Sequence, residues 1–204
     1  MDKTETKQTT EQQILEAARI VFIKKGLEGA RMQEIANEAG INKALLYYYF
    51  RSKEKLFNHI FENALAGIFD VINRSIHQEG DVFVFIETFV DNYLSVLKEN
   101  PFIPNFIFNE INSHPERLSQ FVESIKLNIP GFKYMVEKNI AQGKIIAVGP
   151  EHLLIDMLGM CIFPYMGRPL LEEVFFHDHP AGAENFLYER KQHIISFLKT
   201  ALHP

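Results

Sequence analysis

The chain has 204 residues, 47% of them apolar, enough to pack one large unit or two small ones. Its formal net charge of −5 argues against a uniformly basic nucleic-acid binder, but residues 1–62 carry a net +1 and residues 63–204 a net −6. A single cysteine, Cys161, excludes an intrachain disulfide, and no run of about 18 apolar residues offers a membrane span.

In chain order, the polar start from Met1 to Gln13 lacks the apolar centre of a signal peptide and reads as an arm, disordered over residues 1–10. Ile14, Leu15, Ala18, Val21 and Phe22 then recur with helical spacing, predicting a first helix that runs to Lys25 and stops at Gly26. Met32, Ile35, Ala36 and Ala39 give a second, short helix one apolar face, and Gly40 ends it. Ile41 plugs the following angle, while Asn42 caps a third helix through its side-chain oxygen. That helix turns Leu46, Tyr49 and Phe50 inward and leaves Lys43, Ala44, Leu45, Tyr47 and Tyr48 wholly or partly free.

Two short helices joined by a tight turn form the layout of a helix-turn-helix DNA reader. Small side chains at the start of the third helix let backbone approach base edges, and Lys43 offers donors to guanine or to a phosphate. Tyrosine hydroxyls and Lys53, at the start of the next helix, suit phosphate oxygens.

Further on, Leu56, Ile60, Phe61, Ala64, Leu65, Ile68, Phe69 and Ile72 predict one long helix that ends near Gly80. Asp81 caps the next, whose face is Phe85, Phe89, Tyr93 and Leu97, and Asn100-Pro101 breaks it. A short segment from Pro104 to Ser113 precedes a helix from about Pro115, interrupted by a kink or hinge at Pro130-Gly131 and resumed to Gln142. Gly149-Pro150 opens a helix striped by Leu154, Met157, Leu158, Cys161, Ile162 and Tyr165. After a loop or short helix between Gly167 and Gly182, a last helix carries Leu187, Ile194, Phe197, Leu198, Ala201 and Leu202. Cys161 reads as a small buried apolar residue, and His177-Asp178-His179 as surface loop rather than a metal site. Catalytic motifs are missing: there is no Gly-x-Ser-x-Gly elbow, phosphate-cradling glycine loop or His-Glu-x-x-His pair, so no catalytic residue, metal or cofactor is expected.

Ala17-Ala18 with Phe22, Gly26, Ile35-Ala36, Ala39-Gly40-Ile41, Lys43, Leu46-Tyr47, Tyr49-Phe50, Ser52-Lys53-Glu54 and Leu56 together carry a resemblance. The segment from Ile14 to about Ile60 resembles the DNA-binding domain of the TetR/AcrR family of bacterial transcriptional regulators. The resemblance implies an all-α fold, with a three-helix helix-turn-helix domain over residues 1–54 joined by a long helix to a larger effector-binding and dimerisation domain over residues 55–204. It also implies DNA contacts from Arg31, Asn42, Lys43, Ala44, Leu45, Tyr47, Tyr48, Tyr49 and Lys53, with Lys43, Ala44 and Leu45 facing the major groove.

Two positions depart from the family pattern. Ala30-Arg31 stands where a hydroxyl pair usually opens the second helix, so charge replaces a neutral cap; Ala44-Leu45 replaces a glycine-threonine pair, which shifts base readout toward thymine methyls.

For the larger domain, the resemblance implies a homodimer through the last two helices, at Leu158, Ile162, Tyr165, Leu187, Ile194, Phe197, Leu198 and Leu202. It implies a mostly apolar effector pocket, for which the candidates are Phe85, Phe89, Tyr93, Phe102, Phe106, Phe108, Phe121, Tyr134, Met157, Met160 and Phe163. Asn105, Asn109, Glu110, Asn112, His114 and Arg168 are candidates to orient the effector. The implied function is a cytoplasmic repressor on double-stranded operator DNA, away from membranes, released from a palindrome by an unidentified small molecule. The alternative is a DNA-bound interaction protein of the same fold that has a filled core and senses no small molecule.

Overall fold

The computed structural model describes residues 3–76, 80–116, 119, 127–179 and 181–204. Its regular elements among these residues are helices: α1 (Lys3–Gly29), α2 (Met32–Glu38), α3 (Lys43–Tyr49), α4 (Lys53–Ile76), α5 (Val82–Glu99), α6 (Ile103–Ser113), α7 (Ile129–Ala141), α8 (Pro150–Met166), α9 (Arg168–Phe175) and α10 (Gly182–Leu202). The chain divides into two compact units, residues 1–65 and 66–204, with the division falling inside α4. No single helix among the described residues is long and apolar enough to cross a membrane.

In the first unit, α1 begins at Lys3, within the stretch expected to be an arm; lysine, glutamate and glutamine are good helix formers, so the polar sequence sustains a helix without an apolar face. Gly26 breaks that ladder at φ 65°, where the sequence predicts a stop. Ile14, Ala18 and Phe22 of α1 meet Ile35 and Ala36 of α2, Leu46 of α3, and Leu56 and Phe57 of α4 in one small core. Phe22 and Phe57 pack edge to face with ring centres 5.0 Å apart, a geometry worth about 0.5–1.5 kcal/mol beyond area burial.

The second unit is organised around α5. Phe85, Phe89 and Tyr93 lie in the same core as Phe132, Met135 and Val136 of α7, Met157 and Cys161 of α8, and Ile194, Leu198 and Leu202 of α10. α5 packs against α7, α8 and α10. Asp81 caps it as expected, its carboxylate accepting from the Phe83 and Val84 amides at 2.8 and 3.3 Å. Asn139, buried in α7, secures the approach to α5 by donating to the Gly80 and Met135 carbonyls at 2.6 and 2.8 Å. The first bond gives the Gly80 carbonyl a partner outside any helix, and the two together satisfy the buried Asn139 amide.

Pro130-Gly131 is the first turn of α7 rather than a kink within a continuing helix. The Asn128 side chain caps that turn by accepting from the Gly131 amide at 3.0 Å, and proline is tolerated there because a first-turn amide has no helical partner anyway. Most of the helix expected from Pro115 lies outside the described residues. The expected loop or short helix after Gly167 resolves into α9, with Leu170, Val174 and Phe175 exposed.

Candidate nucleic-acid interface

The turn between α2 and α3 is built by backbone chemistry. Gly40 adopts φ 65°, a left-handed conformation that side-chain-bearing residues rarely adopt. Its geometry lets the Ile41 amide reach back to the Ala36 carbonyl at 3.0 Å and the Gly40 amide to Asn37 at 3.1 Å, closing the free end of α2. Asn42 then opens α3, its side-chain oxygen accepting from the Leu45 amide at 2.8 Å. That oxygen is committed to the cap, leaving the amide nitrogen of Asn42 as the group able to donate outward.

On α3, Leu46 is fully buried and fixes the helix rotation. Lys43 and Ala44 are consequently exposed, Leu45 is half-buried, and Tyr48 presents 70% of its surface. Tyr47 is also exposed and lies one helical turn from Lys43, whose ammonium sits 5.7 Å from its ring centre. Tyr49 is half-buried and meets Tyr48 edge to face at 5.5 Å. A run of donors and short side chains thus faces outward along a helix locked from behind.

Arg31 is the exposed residue before α2 and supplies no side-chain cap. Glu34 compensates by reaching back to the Arg31 amide at 3.3 Å, while Lys25 donates to Glu34 at 2.8 Å. The Lys25 hydrogen bond is the chief reason the Glu34 carboxyl is held below the usual carboxylate range. Lys53 at the start of α4 reaches the Glu28 carbonyl at 3.5 Å, a long contact that leaves its other protons available.

Residues 14–60 match the family profile described as "Bacterial regulatory proteins, tetR family". Over 202 residues the chain is 28% identical to YfiR, an HTH-type transcriptional regulator of Bacillus subtilis strain 168, covering 97% of this chain and 94% of that protein. Residues 14–60 thus match the DNA-binding segment of tetR-family regulators, and nearly the whole chain is similar to an HTH-type transcriptional regulator. A second relative, the HTH-type transcriptional regulator RutR of Escherichia coli K12, is 23% identical over 186 residues, covering 86% of this chain and 87% of RutR. The fold is shared with the solved structure of HlyIIR, a hemolysin II transcriptional regulator, at a TM-score of 0.64 and 23% identity, over 97% of this chain and 98% of that one. YfiR, RutR and HlyIIR are all named as transcriptional regulators.

The residues expected to line an effector pocket are dispersed. Phe85, Phe89, Tyr93 and Met157 are buried together, Phe106 is buried on α6, and Phe102 and Met160 are half-buried. Phe108 is exposed, as are Tyr134 at 68% and Phe163 at 58%, on outward faces of their helices; Phe121 lies outside the described residues. A groove of about 560 Å³ between α5 and α10 is lined by Glu87, Asp91, Lys191, Lys199 and polar neighbours, and by none of the aromatic candidates. Lys191 pairs with Asp91 at 2.5 Å there, and Lys199 with Glu87. Of the polar candidates, Asn105, Asn109 and Asn112 are exposed, Glu110 is buried with His114 at 3.1 Å, and Arg168 pairs with Glu172 at 2.7 Å.

The dimer candidates also separate. Tyr165, Ile194, Leu198 and Leu202 are buried in the chain's own core, and Leu158, Ile162 and Leu187 pack against it. Phe197 faces outward. Helical spacing marks an apolar face but not which surface covers it. The outward apolar stripe on α8 runs one residue off the expected one, through Ile155, Gly159 and Phe163.

Sequence reading also passed over Arg190. Its guanidinium donates to the Met160 carbonyl from Nε and Nη2, both at 3.2 Å. The available signal was Pro164, four residues after Met160 in an otherwise regular apolar stripe.

Proposed function

We propose that this chain is a TetR-family regulator, a homodimeric repressor that holds a palindromic operator until a small, mostly apolar effector binds the larger domain. Residues 1–54 form the reading unit and residues 55–204 the effector and dimerisation unit, working in the cytoplasm. The carrying observation is the outward face of α3, Lys43 to Tyr48, held from behind by the Gly40 turn, the Asn42 cap and buried Leu46. Lys43, Ala44 and Leu45 read base edges, while Arg31, Asn42, Tyr47, Tyr48, Tyr49 and Lys53 hold the phosphate backbone.

A second copy gives the reader its partner. The stripe Ile155, Gly159 and Phe163 of α8, with Phe197 of α10, leaves apolar surface that an isologous contact would bury. Gly159 faces open space and carries no side chain, so a partner helix can approach its backbone closely. Two reading helices then address half-sites about one helical turn, roughly 34–36 Å, apart. The effector acts by preferring a conformer in which that spacing is wrong, with α4, continuous from one unit into the next, as the connecting lever. A coupling of about 1–3 kcal/mol changes operator affinity roughly 5- to 150-fold.

The test is selection of random-sequence duplex DNA by the purified protein, followed by sequencing of what is retained. A palindromic consensus supports the reading. Retention without sequence enrichment, lost uniformly as salt rises, replaces it with a nonspecific scaffold.

A further inference from the structure

Pro164 lies inside α8 and carries no amide hydrogen, so the Met160 carbonyl four residues earlier loses its helical donor. Arg190, from α10, supplies two donors instead, Nε and Nη2, each at 3.2 Å. These atoms form one edge of the planar guanidinium. Its face rests over the Phe186 ring, 5.6 Å from the ring centre. The other edge, Nη1 with the second Nη2 proton, has no carboxylate partner among the described residues, although the side chain is half-buried.

The surroundings are short of acceptors. Cys161 follows Met160 in the chain, is fully buried, and its thiol feels the Arg190 charge. Tyr93, 1% exposed, neighbours Cys161 and stacks on Phe89 with ring centres 5.3 Å apart. Guanidinium offers donors only, and this half-buried one meets a single neutral carbonyl, leaving its other edge to solvent or to a ligand. The complement of a rigid, planar donor edge is a group with two coplanar oxygens and negative charge, which is a carboxylate. Phe186, whose ring lies against the guanidinium face, favours an apolar body for such a ligand.

The geometry points to the open guanidinium edge of Arg190, beside Phe186, as the head-group site for a small carboxylate with an apolar body. This inference rests on the effector-controlled reading and goes further by assigning the effector's chemical class and its anchor. The carboxylate takes the open guanidinium edge while Met160 keeps the other, so the arginine arrives pre-organised. Because α8 and α10 also carry the outward stripe, a ligand at this joint acts on the two helices proposed to pair the subunits.

The test is calorimetric titration of the full-length protein without DNA, using benzoate, 4-phenylbutyrate and decanoate, each beside its corresponding alcohol. At least one carboxylate should bind saturably, about tenfold or more tighter than its alcohol, a gap of roughly 1.4 kcal/mol or more. Arg190→Gln should erase the difference. Pro164→Ala returns an amide donor to Met160, so Arg190→Gln made in that background tests the ligand site without leaving the carbonyl orphaned. Pro164→Ala alone should keep carboxylate selectivity, and the double variant should lose it.

Equal binding of acids and alcohols, no saturable carboxylate binding, or selectivity surviving in the double variant overturns the proposal. So does loss of self-association in the double variant with no carboxylate selectivity in the wild type, which would make Arg190 a subunit contact. No DNA enters this experiment, so its failure and a failed operator selection are separately readable.

Discussion

Pro164 and Arg190 form one structural unit across two helices: the proline leaves the Met160 carbonyl without an amide donor, and the arginine occupies that carbonyl with two hydrogen bonds. Removing Arg190 alone should therefore cost about 1–3 kcal/mol, the penalty for an unsatisfied partly buried acceptor. Arg190→Ala in a Pro164→Ala background should cost less, with a coupling of about 0.5–3 kcal/mol in a double-mutant cycle. Urea unfolding of the four proteins measures it. Equal costs in both backgrounds would show that Arg190 stabilises only through packing on Phe186.

Cys161 should be chemically silent in the folded protein. Burial pushes its thiol from an ordinary value of 9.0 up to about 12, and the neighbouring Arg190 charge only partly opposes this. The sign follows directly: the folded state favours the protonated thiol, so this contribution to stability is intact below the unfolded value and declines as pH rises past it. At pH 8–9 the thiolate needed for alkylation is scarce in the folded chain and available in the unfolded one. Iodoacetamide labelling should track global unfolding across a denaturant series. Rapid labelling in native buffer would contradict the burial of α8.

Lys53→Ala should weaken binding to all duplex sequences alike and flatten the slope of log affinity against log salt by about one unit. Its long contact to the Glu28 carbonyl is weak enough for the ammonium to turn toward a phosphate. Fluorescence anisotropy over a salt series checks this. A loss confined to one operator, with nonspecific binding unchanged, would remove Lys53 from the phosphate contacts.

Ile155→Glu should separate assembly from folding. Ile155 is 64% exposed, so a charge there costs the monomer little, yet it would be buried unpaired at a subunit seam. Sedimentation should show monomers with unchanged helical content, and affinity for a two-half-site duplex should fall toward that for one half-site. A variant that remains dimeric would place the seam elsewhere.

The N-terminal unit was legible because its signals are local. Gly40 needs only its own φ, Asn42 only its neighbour's amide, and Leu46 only a three-helix core. The larger unit is different in kind. The stripe through Ile194 and Leu198 is real, but spacing cannot say that this chain's own core covers it while Phe197 points away. Aromatic count is equally silent on placement: Phe89 and Tyr134 look alike in sequence, yet one is buried and the other lies on an outward helix face. Arg190 was invisible because its partner is a backbone carbonyl on another helix, freed by a proline 26 positions away in sequence.

The role of α3 is tested most directly by sequencing the random duplexes retained by the wild type beside those retained by Lys43→Ala. The structure exposes Lys43 at the head of a helix whose register is fixed by Asn42 and Leu46, so its loss should leave the fold intact. The account predicts a palindrome for the wild type and, for the variant, altered base preference at symmetric positions within it, since each direct base contact carries about 1–3 kcal/mol of discrimination. The same palindrome with unchanged preferences in both pools would remove Lys43 from base reading, and enrichment in neither pool would contradict the operator-reading account itself.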